Sequence, residues 1–106
     1  MAKKIKVVWT ETAAKQRREI LKYWTIRNGS TLFAEKLIKL VLNQIRLIEE
    51  YPDSFKETEF PDARESAMGH FSIYYKLSDK QLIILAFWDN RQDPKKLLKS
   101  LTEKGT

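Results

Sequence analysis

The stretch from Leu82 to Pro94, LIILAFWDNRQDP, limits the possible folds more than any other part of the chain. A near-continuous apolar run stops abruptly at Trp88, and Asp89, Asn90, Arg91, Gln92 and Asp93 follow at once. A run this short and this rich in isoleucine and aromatic side chains reads as a strand covered on both faces, because a strand with one wet face would alternate. Its end carries Trp88 and Arg91 to the rim of a sheet, where a rigid scaffold presents side chains to a partner. Asp93-Pro94 then opens a helix. Aspartate at the N-cap accepts from free amides, and proline at the first helical position has a fixed φ and no donor to waste.

The rest of the chain fits around that strand. Lys4 to Trp9 alternates, with Ile5, Val7 and Trp9 on one side, and reads as a strand with one buried face. Thr10 offers an N-cap and Glu11 a favourable first-turn charge. Ala13, Ala14, Arg17, Ile20, Leu21 and Trp24 then share one side at helical spacing. Asn28-Gly29 ends this helix through a left-handed cap, and Ser30 or Thr31 caps the next. The second helix runs from Leu32 to Tyr51. Phe33, Leu37, Leu40, Val41, Gln44, Ile45 and Ile48 form its stripe, widened by Ile38, Leu42 and Leu47, and Pro52 stops it by forcing Tyr51 out of helical geometry. The short connection makes the two helices an antiparallel hairpin.

Pro52 to Pro61 reads as a polar loop and Arg64 to Met68 as a short strand, with Gly69 at a turn. Phe71, Ile73, Tyr75 and Leu77 alternate with Ser72, Tyr74 and Lys76 in a strand that Ser78-Asp79-Lys80 turns into the opening one. A basic helix from Pro94 to Glu103 carries Lys95, Lys96 and Lys99, and Gly105 closes the chain. The order β-α-α-β-β-β-α predicts an α+β fold, one mostly antiparallel sheet with the helical hairpin packed on one face. At 106 residues, 1–106 is expected to be a single domain.

Composition narrows the chemistry. The chain has no cysteine, which removes disulfides, thiolate nucleophiles and cysteine zinc sites and points to a reducing compartment. MAKKIKVVW lacks the apolar core of a secretion signal, and no apolar run reaches membrane-spanning length, so a cytoplasmic protein without a membrane partner is expected. The formal net charge of +6 favours an acidic partner, either nucleic acid or an acidic protein segment. With His70 the single histidine, neither a metal site nor a cofactor is expected.

The element order, together with IYYKLSDKQLIILAFWDNRQDP, resembles the RelE/ParE superfamily of bacterial toxins from type II toxin–antitoxin, plasmid-stabilisation operons. The resemblance spans nearly the whole chain. It includes the opening strand followed by Ala13-Ala14, the Ile48 to Pro52 helix ending, Arg64 at a strand start, the Gly69-x-Phe71-x-Ile73-x-Tyr75 strand, and Arg91 after the last strand. It implies a growth-inhibiting toxin neutralised by a cognate antitoxin in a hetero-oligomer, through an antitoxin strand or helix lying along the sheet and the hairpin groove.

The resemblance leaves two targets. RelE-like members cleave mRNA on the ribosome, chemistry that needs a base for the 2′-hydroxyl, cations for the charged phosphorane and an acid for the leaving oxygen. That branch usually has an arginine where this chain has Ser72, often a basic group where it has Trp88, and often a tyrosine near the C-terminus, where none follows Tyr75. ParE-like members inhibit DNA gyrase by binding it and resemble this chain in their long helical hairpin. The departures favour the ParE-like, non-enzymatic reading over the endoribonuclease. A third alternative is a non-toxic repressor partner of the antitoxin.

Were the chain a nuclease, Arg91, Arg64, Tyr74 and His70 would be its catalytic candidates. Arg91, Arg64, Lys56, Trp88 and Lys76 are the candidates for binding a partner or nucleic acid. Arg91 offers a planar fork of donors to phosphate or carboxylate, and its competing structural role is a pair with Asp89, Asp93 or Glu65. Trp88 would gain roughly 1–3 kcal/mol by stacking on a base, or would instead anchor the sheet edge or last helix. His70 beside Gly69 reads as an exposed turn residue. Tyr75 reads as core, which leaves Tyr74 on the other face with Ser72 and Lys76. The basic set Lys15, Arg18 and Lys22 reads as a solvated helix face, one that an acidic antitoxin segment would find useful.

Overall fold

Thr10 switches the chain from strand to helix in the computed structural model, which describes residues 5–102. β1 (Lys6–Trp9) ends there and α1 (Glu11–Asn28) begins. The Thr10 backbone is extended, and its hydroxyl accepts from the Ala13 N–H at 3.1 Å, satisfying a first-turn donor. α1 ends at Gly29 with φ of 64°, the left-handed region that glycine enters without penalty. At the start of α2 (Leu32–Glu50), Ser30 Oγ accepts from the Leu32 N–H at 3.1 Å, while the Thr31 hydroxyl donates to Glu35 at 2.6 Å and caps no amide. Tyr51, before Pro52, is the cap that leaves helical geometry. The last helix, α3 (Pro94–Thr102), starts under Asp93, whose Oδ1 accepts from the Lys95 N–H at 2.9 Å. The predicted strand start at Lys4, the helix end at Glu103, and Gly105 lie outside the described residues.

Five strands form one sheet in the order β1-β5-β4-β3-β2, with β1 parallel to β5 and every other pair antiparallel. β3 (Arg64–Met68), β4 (Phe71–Ser78) and β5 (Gln81–Asp89) fall where the short segment after the loop, the alternating segment and the apolar run placed them. β2 (Lys56–Glu57) corrects the reading of Pro52–Pro61 as loop throughout, since its two residues pair with Glu65 and Arg64 of β3. Two residues are too few to show a period of two.

β5 serves two cores because of a bulge. Tyr74 pairs with Ala86 but Tyr75 pairs with Ile84, so Leu85 is an extra residue opposite that step. Leu82 and Ile84 before it and Phe87 after it join the main core beneath the hairpin, with Ala13 and Ile20 of α1, Leu37, Val41, Ile45 and Ile48 of α2, and Phe71, Ile73 and Tyr75 of β4. Ala86 and Trp88 are rephased to the other face. There, with Tyr74 and Leu85, they form a second core against Leu97 and Leu101 of α3. The α2 stripe is narrower than its sequence implies: Ile38, Leu40, Leu42 and Leu47 are all more than 40 % exposed. α2 packs over the short strand β3, which offers too little surface to cover both flanks of a helix.

Candidate functional site

The β1–β5 ladder runs from Lys6–Gln81 to Trp9–Ile84, and one more bond, Thr10 N–H to the Ile84 carbonyl at 3.1 Å, closes it. The chain then turns away as α1. Among the described residues no strand pairs with Leu85–Asp89 on that side of β5. An uncovered strand edge is a row of donors and acceptors that must be satisfied some other way. Here the Gln16 side chain does so, its Oε1 accepting from the Phe87 N–H at 3.0 Å across 71 positions of sequence.

A groove of about 830 Å³ lies along this edge, between α1, the end of β5 and the start of α3. Ile20, Trp24 and Phe87 supply apolar surface; Lys15, Arg27, Arg91 and Lys96 supply cations against Glu19 and Asp89. Trp24 is fixed by a tilted Phe33 ring and an edge-on Tyr23 ring, both at 5.2 Å.

Arg91 is held firmly at the end of this groove. Its Nε and Nη2 donate to the two carboxylate oxygens of Asp89 at 2.9 and 2.8 Å, and its backbone N–H donates to Oδ1 at 3.0 Å. The guanidinium also lies 5.1 Å from the Trp24 ring centroid and 5.8 Å from that of Phe71. Hydrogen bonds from Arg91 hold the Asp89 carboxyl below its ordinary range, outweighing the opposing effect of burial. Arg91 thus meets a partner as half of a neutral pair rather than as a bare cation.

The other candidates are dispersed. His70 is exposed at the β3–β4 turn, at the same end of the sheet as Arg91, and its carbonyl accepts from the Asn90 N–H at 2.7 Å. Arg64 pairs in register with Tyr75, and Phe71 with Asp89, which sets Arg64 and Asp89, the partner of Arg91, about 13 Å apart along β4 at about 3.3 Å per residue. There the Arg64 Nη1 donates to the Phe55 carbonyl at 2.7 Å and Nη2 lies 4.0 Å from Asp53, while the Tyr75 hydroxyl donates to the Pro52 carbonyl at 2.7 Å. Together these contacts tie the segment after α2 to the sheet.

Tyr74 is buried on the opposite face under α3, and burial, reinforced by Glu65, pushes its phenol up to about 12. Beside it the Ser72 hydroxyl donates to Glu65 at 2.7 Å and accepts from the Asn90 side chain at 2.9 Å. Trp88 is 6 % exposed within the second core, so the rim position its sequence implied is covered by α3. Lys76 follows Tyr74 on β4 and is half-buried; Lys56 is exposed on β2. The structure therefore gathers Arg91 and His70 near Asp89, sets Arg64 at the far end of the sheet, and places Tyr74 on its other face.

Lys15 belongs to the basic helix face that the sequence offered to an acidic segment, whereas Gln16, Arg27 and Lys96 did not stand out as site residues. The available signal was Gln16 itself, a polar amide spaced three from Ala13 and four from Ile20 on the buried side of α1. Among the described residues, no three histidine, cysteine, aspartate or glutamate side chains converge on a metal-sized point, and no helix is long and apolar enough to cross a membrane.

Comparison with known proteins finds both a family and a similar fold. The family model described as the ParE toxin of type II toxin-antitoxin system, parDE, matches residues 7–94. A solved structure, the chromosomal ParDE TA system from P. aeruginosa, is similar in fold, with a TM-score of 0.69 at 19% identity over 79% of this chain and 94% of that one. No curated protein matches.

Proposed function

The chain belongs to the ParE toxin family of type II toxin–antitoxin systems, and from that premise we propose that it arrests growth in the cytoplasm by binding DNA gyrase and is held in check by an antitoxin seated in the groove between α1 and β5. The groove carries the antitoxin half of this reading. It combines an uncovered strand edge, an apolar floor and excess positive charge, the features a complementary acidic protein segment uses. A toxin–antitoxin hetero-oligomer follows from it.

The gyrase half rests on the ParE-like resemblance and on the absence of a converging nuclease constellation among the described residues. Arg64 is four β4 residues from Asp89, the partner of Arg91, along the sheet, about 13 Å. Tyr74 lies beneath α3 with its phenol raised to about 12, far from the neutral range where proton transfer is most efficient. The ribosome-dependent endoribonuclease reading has no comparable support. Purified protein added to a gyrase supercoiling assay is expected to inhibit the reaction in proportion to its concentration. Supercoiling that proceeds unchanged at a large molar excess of folded protein rejects gyrase as the target.

A further inference from the structure

We propose that two copies of this chain associate through an exposed stripe of α2, packed antiparallel about a two-fold axis beside Asn43. That stripe is separate from the groove assigned to the antitoxin, to which α2 contributes no lining residue.

α2 carries more apolar surface than one core can cover. Leu37, Val41, Ile45 and Ile48 are buried in the main core. On one flank of them Lys36, Leu40, Asn43, Leu47 and Glu50 follow at intervals of four and three residues, and all five are exposed. That spacing is the seam by which two helices pack together. Leu40 and Leu47 are each nearly half exposed, and Leu32 and Tyr51, at the two ends of the helix, more than half. Leucines exposed singly need no partner, but a row at seam spacing marks an interaction face.

Charge identifies the occupant as a second copy. Seven residues separate Asn43 from Lys36 on one side and from Glu50 on the other. Turned end for end about Asn43, the stripe sets Lys36 against Glu50 and Leu40 against Leu47, each contact made twice. Asn43 then meets itself, an uncharged amide that both donates and accepts. Antiparallel helices also oppose their macrodipoles. A parallel pair would instead face lysine with lysine and glutamate with glutamate. The opposite flank of α2, with Ile38 and Leu42, is excluded on the same ground, because reversal about Leu42 brings Glu35 onto Glu49.

The size of the face sets the strength. α2 is 19 residues long, so its exposed side is about 28 Å by 10 Å. Two such faces bury on the order of 1,000 Å² of accessible surface, the floor for a specific interface. The dimer is therefore reversible, and it leaves both grooves open.

The test is sedimentation equilibrium of the full chain at concentrations from about 1 to 100 µM, where wild type is expected to pass from monomer to dimer. Leu40→Glu with Leu47→Glu should stay monomeric throughout, with helical content unchanged. Lys36→Glu puts carboxylates at both ends of the seam and should weaken the dimer about tenfold or more. Lys36→Glu with Glu50→Lys restores the complementarity in reverse and should return association to within about threefold of wild type. These two variants change only solvated side chains, so they carry the test should the leucine variant not fold. The proposal is overturned by wild type that remains monomeric at about 100 µM, by a dimer that survives the leucine changes, or by a charge reversal that does not restore association. Monomeric wild type whose inhibition of supercoiling is lost in the leucine variant also overturns it, and gives the stripe to the target instead.

Discussion

Asp89 and Arg91 illustrate how one pair can be both a fold feature and a site feature. The Asp89 side chain is 11 % exposed and that of Arg91 46 %, so the fork is shielded on one side and solvated on the other. Solvent screening limits its worth to about 1 kcal/mol. The sign with pH follows from the depressed Asp89 carboxyl. In the unfolded chain an aspartate titrates near about 3.9, and in the folded one it titrates lower, so the stabilisation is complete above the unfolded value and is lost as pH falls through the folded one. Asp89→Asn is therefore expected to be less stable than wild type by about 1 kcal/mol at pH 7, with the gap closing as pH falls below the ordinary carboxylate range, as thermal melts from neutral to acid pH would read. A gap that stays constant with pH would deny the carboxylate this role. Sequence proximity made Asp89 a foreseeable partner for Arg91. No sequence pattern joins Gln16 to Phe87, because that contact is created by the path of α1 over the end of β5.

At the scale of elements, what the sequence made legible was local. The Thr10 and Asp93 caps, the left-handed Gly29, and the alternation in β4 are each set by a few neighbouring residues. What it concealed was phase and cover. LIILAFWD reads as one buried run, and only pairing with β4 reveals that Leu85 is bulged out of register, sending Phe87 to one core and Trp88 to the other. Likewise α3 reads as a basic helix, and only the structure shows that its Leu97 and Leu101 cover Tyr74 and Trp88. This cover makes a spectroscopic prediction. Burial holds the phenols of Tyr74 and Tyr75 up at about 12, one beneath α3 and the other in the main core. Truncating the cover with Leu97→Ala and Leu101→Ala is expected to return one of the chain's four tyrosines toward the ordinary value near 10 and leave the other high. Ultraviolet titration of phenolate absorbance counts them. No change in the high-titrating fraction would mean that α3 does not shield Tyr74.

Across the whole molecule the charge is polarised. Glu49, Glu50, Asp53, Glu57, Glu59, Asp62 and Glu65 crowd the end of α2 and the β2–β3 edge, against Lys56 and Arg64 alone. The remainder is correspondingly more basic than the net +6, and the strand order sets the groove on the opposite side of the sheet. From β5 to β2 are three strand spacings, about 14 Å, beyond the screening length of about 8 Å at physiological salt. The two sides therefore act independently on an approaching partner. An acidic antitoxin seated as proposed would be drawn to the groove before contact, so association with it should slow about tenfold or more between 0.05 and 0.5 M salt, with dissociation changing less. Lys15→Glu with Lys96→Glu should reproduce that slowing at low salt, because both exposed side chains line the groove. At physiological salt Glu59→Lys, on the far edge, should leave the association rate within about twofold, since its field is there screened before it reaches the groove. Stopped-flow measurements of the three proteins decide the matter: equal effects from both ends would mean that the partner responds to net charge alone and not to the side of the sheet on which the groove lies.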